Sequence, residues 1–137
     1  MPHPKERLYK YLFDRMDSSI AKGYFLEASW IAYAITEDRL DSILVKVSNY
    51  KGRLISRKLE YLSRFSNTFV RAEFSPNFIR RIDTWTNRRN DLTHEMANAN
   101  LTIQQIIDRS KEVALQGEEL ARDVSNAVMR VKKHLKQ

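Results

Sequence analysis

Between Arg88 and Met96 the sequence reads RRNDLTHEM, which sets two arginines, an asparagine and the only internal histidine within about two and a half helical turns. Imidazole exchanges protons near neutral pH, so His94 has the chemistry of a general base or acid. Arg89 carries a permanent charge on a planar fork that matches phosphate oxygens, which suits it to stabilising charge that builds on phosphorus. Asn90 stands four residues before His94, one turn away on the same face, where it would orient the imidazole or hold a phosphate. On an ideal helix Arg89 and His94 are about 140° apart. That separation suits a groove formed where two copies of the chain meet.

The charge pattern points the same way. Residues 1–50 and 91–137 each carry seven basic and seven acidic side chains, so the whole net charge of +7 lies between Lys51 and Arg89. There Lys51, Arg53, Arg57, Lys58, Arg64, Arg71, Arg80, Arg81, Arg88 and Arg89 face Glu60, Glu73 and Asp83, ten against three. Such a block attracts polyphosphate backbones through counterion release. Arg88, Arg80, Arg81, Arg57 and Lys58 are the expected nucleic-acid contacts.

Other chemistries find little support. Cysteine is absent, which rules out thiolate metal sites and disulfides and suits a reducing, cytoplasmic setting. His94 and Glu95 begin a zinc-protease helix pattern, but Asn98 stands where its second histidine would be needed. Glu37 and Asp41 lie one turn apart with no second acidic pair at matching spacing, so no metal is expected. With three glycines and no glycine-rich loop, no cofactor is expected either. His3 and His134 lie at the termini and are expected to be incidental. The longest apolar runs, such as residues 30–35, fall far short of a bilayer span of about 20 residues, so no membrane partner is expected.

The elements that must carry the motif read as helices. A stripe of Leu8, Leu12, Met16 and Ile20 predicts a first helix over 5–22, with Gly23 as its C-cap. A second is predicted over 24–47, with Ala28, Ile31, Ile35, Leu40, Ile43, Leu44 and Val47 inward. Trp30 and Tyr33 lie toward its other side and suit a second interface. The cluster at 48–52 has turn chemistry. Leu54, Leu59, Leu62, Phe65 and Phe69 predict one third helix to about residue 72. Ser75 and Pro76 start a fourth, which carries the motif on a helix buried through Phe78, Ile79, Ile82, Trp85, Leu92 and Met96 and stops near 98–100. Thr102 and Gln105 form a capping box for the last helix. Its seam of Ile106, Ser110, Val113, Gly117, Leu120, Val124, Ala127 and Val131 alternates steps of four and three. The expectation is a single all-α domain over 1–137, an up-and-down helical bundle of four long helices plus one shorter.

Arg89, Asn90, three intervening residues and His94 resemble the signature of the HEPN superfamily, an arginine followed by a polar residue and then a histidine. The bundle layout is similar too. The resemblance implies a small helical domain that dimerises and, in catalytic members, a shared cleft where Arg89 and His94 cut RNA without metal. It implies Glu37 as a supporting acidic residue on the second helix, a homodimer partner and, for toxin members, a cognate antitoxin. Met96 stands where toxins paired with a nucleotidyltransferase antitoxin commonly carry a tyrosine, so that modification is not implied. The expected function is metal-independent endoribonuclease, of toxin or defence type; the alternative is a non-catalytic helical module that binds nucleotide, nucleic acid or a partner protein. Either Trp85 or Met96 is expected at the dimer interface.

Overall fold

A computed structural model of the chain describes residues 4–47, 54–97 and 101–136. Six helices account for nearly all of them: α1 (Pro4–Ala21), α2 (Phe25–Val47), α3 (Ile55–Ser63), α4 (Thr68–Glu73), α5 (Pro76–Ala97) and α6 (Ile103–Leu135). The all-α expectation holds, with four long helices and two short ones rather than one. The predicted turn at 48–52, the basic residues Lys51 and Arg53, the stop at 98–100 and the residue His3 lie outside the described residues.

Local chemistry sets most boundaries. Gly23 takes φ +79, the left-handed conformation that closes α1, and Tyr24 N–H reaches back to the Ser19 carbonyl at 2.8 Å. Ser75 Oγ accepts from Phe78 N–H at 3.2 Å ahead of Pro76. Thr102 and Gln105 form the reciprocal capping box that starts α6. The single third helix is corrected to two. Asn67 interrupts it because its side-chain oxygen accepts from Phe69 and Val70 N–H, giving α4 a start of its own. This turns Phe69 toward the far end of α6, where its ring stacks on His134 at 4.0 Å. His134 is therefore part of the packing of α4.

The long helices run up, down, up, down, with α2 and α6 packed together at the centre. Their direction is parallel: Phe25 and Leu26 lie near Ile106, Ala32 lies against Gly117, and Ser42 meets Lys132. Helix α1 crosses antiparallel to α2, with Arg15 paired to Glu27 and Lys5 to Asp38. Helix α5 runs antiparallel to α6, with Arg81 paired to Asp123 near one end and Glu95 to Arg109 near the other. Every residue of the predicted α6 seam is buried except Ile106, which is half-buried. Trp85 of α5 inserts at Gly117, where a Cβ would meet its ring at 2.5 Å, and its indole N–H donates to the Val113 carbonyl at 2.9 Å. That bond satisfies a donor that burial would otherwise strand. α5 is thereby pinned in the register that sets where the motif faces.

Candidate functional site

Helix α5 presents the motif on two sides. Toward α6, Arg80, Arg81 and Arg88 line one groove of about 430 Å³ with Asn77, Thr84 and Gln116. Three expected nucleic-acid contacts are thus brought together, but not as free charge. Arg81 pairs with Asp123 at 2.6 Å and reaches Glu119 at 3.9 Å, while Arg88 donates to Gln116 at 3.2 Å and lies 3.9 Å from Glu112. The carboxylates of α6, distant in sequence, answer part of the basic block. Arg57 pairs with the neighbouring Glu60 at 3.3 Å on an exposed surface. Lys58 is different. It is 1% exposed, and its ammonium meets Asp41 at 2.8 Å, which ties α3 to α2 and withdraws the charge from the surface. The same pair commits Asp41 away from Glu37.

Toward α2, Arg89 lies half-buried with its guanidinium 4.0 Å above the Tyr33 ring, a stacked cation–π contact. Glu37 stands one turn further along α2, where its carboxylate acts on the Tyr33 hydroxyl. Burial and then the Glu37 carboxylate push that hydroxyl above its usual range, and Arg89 offsets only part of the rise. Arg89, Tyr33 and Glu37 therefore form one layer, and the expected supporting residue Glu37 is joined to Arg89 through a tyrosine. Asn90 accepts from Arg89 at 3.2 Å. The Thr93 hydroxyl caps the Arg89 carbonyl at 3.2 Å.

Arg89 also edges a groove of about 220 Å³ floored by Leu92 and walled by Leu26, Trp30, Thr93 and Met96. Trp30 is 69% exposed beside it. His94 is exposed as well, yet it lines neither this groove nor the one against α6. Of the two motif residues, Arg89 borders this groove and His94 does not. Trp85 is 3% exposed, as expected of the buried side of its helix, where Gly117 opens space for it, and so is closed to an interface; Met96, the other interface candidate, is half-buried against the core.

Tyr33 is the functional residue whose role sequence reasoning missed. Its signal was the outward series Leu26, Trp30, Tyr33 and Glu37, spaced four, three and four on α2. Arg89 falls opposite that series because α5 and α2 run antiparallel. Among the described residues no helix is long and apolar enough to cross a membrane. Comparison with protein-family models, with curated proteins and with solved structures gave no match.

Proposed function

We propose that the chain is a metal-independent endoribonuclease of HEPN type whose site is completed when two copies pair. The observation that carries this reading is Arg89, stacked on Tyr33 at the edge of the exposed Trp30 groove, with an exposed His94 five residues further along the same helix. Two copies meeting over Trp30, Leu26 and Met96 would cover that apolar face and set Arg89 of one copy near His94 of the other. An imidazole would take the proton of a ribose 2′-hydroxyl, the oxygen would attack the adjacent phosphorus, and the guanidinium would hold the charge on the equatorial oxygens. The 5′ oxygen would leave with a proton from an imidazolium. A 2′,3′-cyclic phosphate and a free 5′-hydroxyl result. Exposed Arg80, and the ion-paired Arg57, Arg81 and Arg88, would contact the RNA backbone, since surface ion pairs yield readily to a polyanion. A toxin or defence role, and a cognate antitoxin, rest on the resemblance alone.

The test is incubation of purified protein with mixed RNA in EDTA, followed by mapping of the ends. Wild type should cut and leave cyclic or 3′-phosphates. Arg89→Ala and His94→Ala should each lose about a hundredfold or more in rate while keeping helical content, because neither side chain fills the core. Cleavage that needs added magnesium, or a His94→Ala variant as fast as wild type, overturns the reading. The alternative, a non-catalytic module binding nucleotide, nucleic acid or a protein, is favoured by the neutralisation of Arg81 and Arg88. It predicts RNA binding without cut ends.

A further inference from the structure

Helices α3, α4 and α5 border a groove of about 730 Å³, larger than the grooves of about 430 and 220 Å³ on the two sides of the motif helix. Its floor is apolar. Leu59 and Phe74 are 3% and 2% exposed, and Ile79 is half-buried with them. The two long walls have the same register: α3 contributes Ser56, Leu59, Glu60 and Ser63, and α5 contributes Pro76, Ile79, Arg80 and Asp83, steps of three, one and three on each. Each helix therefore offers one face over two turns, about 10.5 Å long. A trough between two such faces has the shape that seats a third helix.

The rim is basic. Glu60 is answered twice, by Arg57 at 3.3 Å and by Arg64 at 2.5 Å. The exposed Arg71 guanidinium of α4 holds neither a hydrogen bond nor an ion pair among the described residues, and exposed Arg80 donates to the neutral Asn77 at 3.2 Å. Half-buried Asp83 is the lining carboxylate that no cation answers among the described residues. Two guanidinium groups without a carboxylate thus stand over the apolar floor, from different helices.

We propose that this groove docks an acidic amphipathic helix of a partner protein. About two turns of it lie in the trough, with an apolar stripe at i, i+3, i+4 and i+7 against Leu59, Phe74 and Ile79 and with flanking carboxylates on Arg71 and Arg80. Floor and rim together select this occupant. A nucleic-acid backbone would use the two arginines and leave the apolar floor uncovered, whereas an uncharged apolar helix would cover the floor and leave both arginines unanswered. The groove lies against the first two turns of α5, and Arg89 and His94 stand in its second half, so the docking does not rest on their chemistry.

The experiment is fluorescence anisotropy of a labelled, capped peptide of about four helical turns, with leucines at i, i+3, i+4 and i+7 and glutamates between them, titrated with the full chain. One control peptide carries lysine for every glutamate and another alanine for every leucine. The glutamate–leucine peptide should bind, and each control should bind at least about tenfold more weakly, since one meets like charge and the other lacks the apolar anchors. Arg71→Glu and Ala72→Glu, both at exposed positions of the lining, should each weaken binding about tenfold or more with the melting temperature unchanged. Asp83→Asn should tighten it. Equal affinity for the three peptides overturns the proposal, as does unchanged affinity in both glutamate variants. Single-stranded RNA that competes with the peptide and itself binds Ala72→Glu more weakly also overturns it, giving the groove to RNA. So does a wild-type dimer that Ala72→Glu converts to monomer, which would seat a second copy there.

Discussion

An arginine on a helix surface samples many rotamers, and ordering it costs up to about 2 kcal/mol of side-chain entropy. Stacking on Tyr33 orders Arg89 before any ligand arrives. A different residue pair gives the molecule its pH response. Glu118 is pushed up to about 7, first by its hydrogen bond with Asp17 and then by burial and the Asp17 charge, with Arg122 opposing. Burial pulls Asp17 upward, but hydrogen bonds from Glu118 and from Arg122, at 2.7 Å, hold it below the usual carboxylate range. The raised group binds its proton more tightly folded than unfolded. Its stabilisation is therefore complete below the unfolded value of about 4.3 and is lost as pH rises through about 7. Asp17 acts oppositely, stabilising above its unfolded value and losing that contribution as pH falls through its lowered one. Melting temperature should fall by about 1–3 °C between about pH 6 and pH 8, a modest change because the pair is partly solvated. Glu118→Gln should flatten that slope. An equal slope in wild type and variant, measured by circular dichroism, would refute the shared proton.

At the scale of elements, Gly117 decides how closely α5 and α6 approach. Helix propensity alone says that Gly117→Ala should stabilise α6 by about 1 kcal/mol. The structure predicts the reverse sign, because the added methyl would meet Trp85 at 2.5 Å and Ala32 at 3.0 Å. Overpacking of this kind costs about 1–3 kcal/mol, so urea denaturation should show a lower midpoint. A midpoint at or above wild type would mean that Trp85 moves aside freely. The α6 seam was legible because its alternation of four and three is a strong one-dimensional signal, and the caps at Gly23, Ser75 and Thr102 were legible because each acts on its immediate neighbours. The break between α3 and α4 was missed since Leu62, Phe65 and Phe69 continue a helical stripe straight across it; only Asn67 contradicts them, through two hydrogen bonds. Trp85 was legible as buried from the apolar stripe of its helix, but the choice between Trp85 and Met96 for an interface was not, because the glycine that takes the indole in lies on another helix. The motif itself was legible as residue types and spacing. Its partners were not: Tyr33 under Arg89, and Asp123 and Glu112 beside Arg81 and Arg88, come from helices that meet only in three dimensions.

At the scale of the whole molecule, the proposed pairing makes a claim about mass and activity together. Trp30 and Leu26 are 69% and 45% exposed on one face of α2, and Met96 adjoins them across the groove. Light scattering at micromolar concentration should give twice the mass of one chain. Trp30→Glu should halve that mass and abolish cleavage with Arg89 and His94 both in place. A monomeric wild type that cuts RNA would separate the chemistry from the dimer and refute the shared site.

The parallel course of α2 and α6 also governs how the chain reaches this shape. Ser42 and Lys132 are 90 residues apart in sequence, and the central helix pair can form only after α3, α4 and α5 have been looped out of the way. Helical bundles ordinarily fold fast because their contacts are local, whereas contacts of long sequence separation require loop closure first. α1 and α2 can pair early as a local hairpin, but the face of α2 that receives Gly117, with Ala32 at its centre, has nothing to cover it until the final 33-residue helix is present. On a ribosome, which releases the N-terminal part first, the nascent bundle carries an open apolar seam until α6 has emerged. The helix that closes the core emerges after the five that it holds together.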